Sequence, residues 1–61
     1  MKQGDYIRTP RFCTVKIEKV FDSKTEAIAE GYTEPTHYHG DYEVLGKHTG
    51  ENRMKFAAVQ K

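Results

Sequence analysis

The sequence predicts a small α+β fold, mostly β: a curled antiparallel sheet, or a partly open SH3-like barrel, carrying one short helix in the order β-β-α-β-β. Three observations predict it. Phe12–Phe21 and Arg53–Gln60 alternate their side chains with period two, as half-buried strands do. Between them, Asp22–Tyr32 carries the start and stop signals of a helix. The chain has 61 residues with no repeat or linker, so residues 1–61 form a single small domain. A domain of this size buries only about 60% of the surface its unfolded chain exposes, and self-association would enlarge its marginal core.

The first strand is expected over Asp5–Thr9, with Ile7 on one face and Tyr6 and Arg8 on the other. Pro10 lacks a backbone donor, so the chain bends at Thr9-Pro10-Arg11. In the strand Phe12–Phe21, Cys13, Val15 and Ile17 alternate with Thr14, Lys16 and Glu18. This register buries Cys13 as a small, inert apolar residue. Strict alternation would also bury Lys19, so a bulge or strand end is expected before Val20.

Ser23 is placed to cap the helix, with Glu26 three residues on completing a capping box, and Gly31 supplies a left-handed stop. Thr25, Ile28, Ala29 and Tyr32 make one stripe at helical spacing. Two turns cannot stand alone, so the helix must lie on the sheet. Residues 33–41 read as a polar, aromatic loop. Tyr42–Lys47 reads as a short strand with Val44 and Leu45 on opposite faces, and 48–52 as a turn. The last strand places Met54, Phe56 and Ala58 on one face and Arg53, Lys55, Ala57 and Val59 on the other. Its alanines leave Met54–Lys61 open to a helical reading as well.

Several classes are excluded or disfavoured. No run of about 18 apolar residues is present, so no membrane-spanning helix is expected. The N-terminal Met1-Lys2-Gln3-Gly4-Asp5 has no signal-peptide character, and one cysteine cannot form an internal disulfide; both point to a reduced, cytoplasmic protein. No Ser/His/Asp arrangement, phosphate-cradling glycine loop or tuned carboxylate pair appears, so an enzyme is not expected and no catalytic residue or cofactor is assigned. His37 and His39, two apart in an extended segment, could face one ion with Asp41 or His48. Nothing fixes that geometry, and no metal is assigned.

Two surfaces remain as binding candidates. The first is the loop 33–42, where Tyr38, His37, His39 and Tyr42 offer amphipathic contact area to another protein or to a second copy of the chain as a homodimer. The second arises from charge. The formal net charge is only +1, but it divides as +3 over residues 1–16, −5 over 17–46 and +3 over 47–61. If the first and last strands lie side by side, Arg8, Lys16, Arg53 and Lys55 share a basic face with Tyr6, and Arg11 beside it. Such a face can meet phosphates and stack on bases of a nucleic acid, although the plainer reading is a solvated face whose charges blunt the sheet edges.

Three stretches carry a resemblance: Gly4-Asp5-Tyr6-Ile7-Arg8-Thr9-Pro10-Arg11-Phe12, Gly31-Tyr32-Thr33-Glu34-Pro35-Thr36-His37-Tyr38 and Gly50-Glu51-Asn52-Arg53-Met54-Lys55-Phe56-Ala57-Ala58-Val59. They resemble a group of short uncharacterised proteins of Gram-positive gut bacteria and their mobile elements. The resemblance implies an intracellular accessory protein of a mobile element and brings no activity or site with it. The sequence therefore favours a small non-enzymatic protein-binding module using residues 33–42, with a nucleic-acid-binding module as the alternative.

Overall fold

A computed structural model describes residues 1–51 and 53–60; Asn52, expected in a turn, and Lys61 lie outside them. The elements are β1 (Tyr6–Thr9), β2 (Cys13–Phe21), α1 (Lys24–Ala29), β3 (Glu34–His39), β4 (Tyr42–Gly50) and β5 (Arg53–Gln60). They form a five-stranded sheet in the order β1-β2-β5-β4-β3, curled into a half-barrel with one short helix. The mostly-β α+β class is thus as the sequence predicts. The sheet is not wholly antiparallel, however, because β2 and β5 pair in parallel.

The sheet curls around one face. That face carries Ile7, Val15, Ile17, Val44, Phe56 and Ala58, with Met1, Phe12, Val20, Tyr42 and Met54 packed against them. Met1, just before β1, reaches Tyr42 on β4, its amine lying 3.5 Å from the hydroxyl. We call this the inner face. On the outer face Leu45, Ala57 and Val59 are covered by Ala27 and Tyr32, with Phe21 alongside. The opposite placement of Val44 and Leu45, and both faces of β5, follow the alternation read from the sequence. The last strand is a strand and not a helix.

The expected irregularity in β2 is a bulge at Glu18. Ile17 pairs with Phe56, but the next pair is Lys19 with Ala57, so Val20 returns to the inner face and Lys19 stays exposed. One extra residue thereby resolves the conflict between alternation and the charge of Lys19.

Four expectations are corrected. Cys13 is exposed, not buried beside Val15. It takes φ 62°, a left-handed conformation that turns its side chain out of the strand's alternation as the chain leaves the Pro10 bend. Thr9 Oγ1 holds that bend by accepting the Phe12 N–H at 2.9 Å. In the helix, Ala27 is the buried residue and Ile28 is 47% exposed. A Schellman stop explains the shift: Tyr32 N–H donates to the Ala27 carbonyl and Gly31 N–H to that of Ile28, bringing Tyr32 over Ala27 instead of over Ile28. The Ser23 cap forms as expected, accepting the Glu26 N–H at 3.3 Å.

The supposed loop 33–41 contains an edge strand, β3, paired along β4. Its Pro35 is tolerated because an edge strand can spare a ladder donor. Gly40 (φ 61°) and Asp41 make the two-residue turn between them, with glycine at the first turn position. Finally, β4 extends to Gly50, so His48, Thr49 and Gly50 of the turn expected at 48–52 belong to a strand.

Candidate nucleic-acid interface

The first and last strands do not lie side by side; β2 separates them. The basic face forms nonetheless, because β2 supplies its middle row. Tyr6 pairs with Lys16 across β1 and β2. Lys16 and Lys55 each directly precede the Ile17–Phe56 pair, so they sit on adjacent strands with their side chains on the outer face. Lys55 in turn pairs with Lys47 on β4. Arg8 and Arg53 lie two residues from Tyr6 and Lys55 along their own strands and share the same face. Tyr6 is 70% exposed, and Arg8, Lys16, Arg53 and Lys55 are all exposed.

Lys47 belongs to this face although the binding candidates read from sequence omitted it. Its distance of two from Leu45 is the signal that places it there. Its stem packs along Gly31, where an added Cβ would lie 3.3 Å from the lysine Cδ and Cε, and its ammonium stands 5.4 Å over the Tyr32 ring. Arg11 is held differently, with its guanidinium 5.1 Å from the centroid of the Phe12 ring at the β1–β2 bend.

The ion pairs use partners other than the cations of the basic row. Lys19 bonds Glu30 at 3.0 Å, Lys24 bonds Glu43 at 3.4 Å and His48 bonds Glu34 at 3.2 Å. Three of the seven acids of residues 17–46 thus have a basic partner, two of them a lysine and the third the His48 ring. Among the described residues no ion pair engages Arg8, Lys16, Arg53 or Lys55. Lys55 directly opposite Lys47 is a like-charge cross-strand pair, an arrangement that costs stability.

The aromatic candidates of residues 33–42 are divided between faces. Tyr38 pairs with Glu43 and is 64% exposed, whereas His37 pairs with Val44 and His39 with Tyr42, one register step away on the inner side. Tyr42 packs against the inner core. Thr36 Oγ1 donates its only proton to the Val44 carbonyl at 2.8 Å, so it must accept from His37 Nδ1 at 3.1 Å. The neutral His37 ring therefore keeps its lone pair on Nε2, which is buried without a hydrogen-bond partner. Burial, and then the neighbouring His39, lower the His37 pKa. Burial raises that of the Tyr32 hydroxyl. Among the described residues no three His, Cys, Asp or Glu side chains are grouped to share a metal ion.

Two concavities are lined largely by inner-face residues. One, of about 380 Å³, is lined by Phe12, Val15, His48, Glu51, Arg53, Met54 and Phe56. The other, of about 340 Å³, runs along the seam between β1 and the β3–β4 turn and includes Tyr6, His39 and Tyr42. No helix among the described residues is long and apolar enough to cross a membrane. No family model, curated protein or solved structure matches the chain.

Proposed function

We propose that this protein is a small nucleic-acid-binding module whose outer sheet face grips the phosphate backbone. One observation carries the reading: Tyr6, Lys16, Lys55 and Lys47 stand in a row across four strands, flanked by Arg8 and Arg53, with the four exposed cations unpaired among the described residues. A sheet that sets lysine opposite lysine gives up stability, and a polyanion laid across the row recovers it. Tyr6 offers a face on which a base can stack.

The test is fluorescence anisotropy with labelled oligonucleotides. Four phosphate contacts give a salt slope of roughly −3, so affinity falls roughly 50-fold between about 50 mM and about 200 mM salt. Lys55→Glu weakens binding at every sequence tested. Absence of a complex at low salt and tens of micromolar protein would overturn the reading.

A protein partner or second copy is the second reading, favoured by the seam groove with Tyr6 and His39 on its walls and two sheet edges, β1 and β3, beside it. An extended segment added to either edge would continue the ladder. Light scattering and pull-down with His39→Ala and Tyr38→Ala variants test it; unchanged partners and unchanged mass would remove it.

A further inference from the structure

We infer that the inner-face concavity at the starts of β2 and β5 is a pocket for one unpaired base, making the module selective for single strands; this rests on the nucleic-acid reading above. The β2–β5 ladder begins at Ile17–Phe56, although β2 starts at Cys13 and β5 at Arg53. The strand ends before that first rung bound the cavity, with Val15 on one side and Arg53 and Met54 on the other. Phe12 closes it, its ring 5.1 Å from that of Phe56.

The lining specifies the ligand. Its walls are aromatic and aliphatic, and at about 380 Å³ it sits near the lower end of small-ligand sites, suited to one ring system. Its lining also includes a donor residue, Arg53, an acceptor residue, Glu51, and His48. A carboxylate at the pocket lining repels an anion, so the ligand that fits is neutral overall and presents both acceptors and donors. A nucleobase edge has that character: ring nitrogens and carbonyls accept from Arg, and exocyclic amines donate to Glu. The sugar-phosphate stays outside the pocket and rounds the sheet end at Arg53, which opens β5 and belongs to both the pocket lining and the basic face. A base paired within a duplex cannot reach such a pocket without leaving the stack.

Met54 makes the pocket directly observable. The chain has two methionines, and only Met54 lines this cavity. Its methyl lies over Gly46, where an added Cβ would collide with it. With methionine methyls isotopically labelled, titration with oligo(dC), whose base carries both an exocyclic amine and ring acceptors, and with an oligonucleotide containing one abasic site should separate the contributions. Expected are a saturable shift of the Met54 methyl with the intact strand, little change at Met1, and a smaller Met54 shift when the abasic site replaces the inserted base. Phe12→Leu should lower single-strand affinity about tenfold while leaving duplex affinity within about twofold. Salt-sensitive binding with an unmoved Met54 methyl, or equal affinity for single strands and duplex, overturns the pocket and leaves the phosphate-binding face standing. No salt-sensitive binding at all overturns both.

Discussion

Cys13 is where local backbone geometry overrides side-chain pattern. Alternation assumes that every residue of a strand is extended, and it is blind to the sign of φ. With φ 62° the residue bears a cost of roughly 1–2 kcal/mol that Asn tolerates and a β-branched side chain tolerates worst. Cys13→Asn is therefore expected to keep or raise the melting temperature, and Cys13→Val to lower stability by about 1 kcal/mol or more, checked by thermal melts. The exposed thiol should also react with a thiol reagent in the folded protein, whereas a core cysteine would wait for unfolding. His37 yields a pH prediction. Its pKa is lowered in the folded state, so below about pH 6.5 the unfolded chain binds more protons than the folded one. Its contribution is fully present above that value and is lost as pH falls towards the folded pKa. His37→Gln should therefore flatten the loss of stability between about pH 7 and about pH 5 in denaturant titrations; an unchanged slope would count against the buried Nε2.

At the scale of elements, legibility in the sequence tracks the strength of the period-two signal. β2 and β5 could be read face by face, and even the bulge at Glu18 was implied by Lys19, because an exposed lysine and a buried valine cannot both obey strict alternation. β3 could not: Glu34–His39 offers no aliphatic residue and contains Pro35, so its extended state comes from pairing with β4. The helix was legible at its caps but not on its buried side, since the Schellman stop rotates Tyr32 towards Ala27. Gly31 serves that stop at φ 102° and also seats the Lys47 stem. Gly31→Ala is expected to cost about 1–2 kcal/mol in chemical denaturation. The basic row was legible in its members, not in its assembly, because alternation says nothing about which strands become neighbours. The Lys47–Lys55 pair makes a trade measurable: Lys55→Thr should raise stability by roughly 0.2–1 kcal/mol while weakening oligonucleotide binding.

At the scale of the whole molecule the core is thin and two-sided. Ile17 and Val44 on the inner face and Leu45 on the outer are its largest fully buried side chains. A domain of this length has roughly 3–9 kcal/mol of stability in total. Ile17→Ala or Leu45→Ala, at about 2–5 kcal/mol each, should leave much of the chain unfolded at room temperature, as circular dichroism would report. Neither face can be lost without the other, because β4 and β5 present adjacent residues to both.

The split partnership of β2 carries one more consequence. Among the described residues β1 pairs only with the first half of β2, while the second half of β2 pairs with β5. The amino-terminal hairpin can consequently peel away while the other strands stay zipped, so the amides of Tyr6–Thr9 should exchange with deuterium well before those of Lys19–Phe21. Tyr6 and Arg8 ride on that hairpin. On the proposed reading, a grip on a phosphate chain would be divided between a fixed jaw and a hinged one, with Pro10 at the far tip of the moving part.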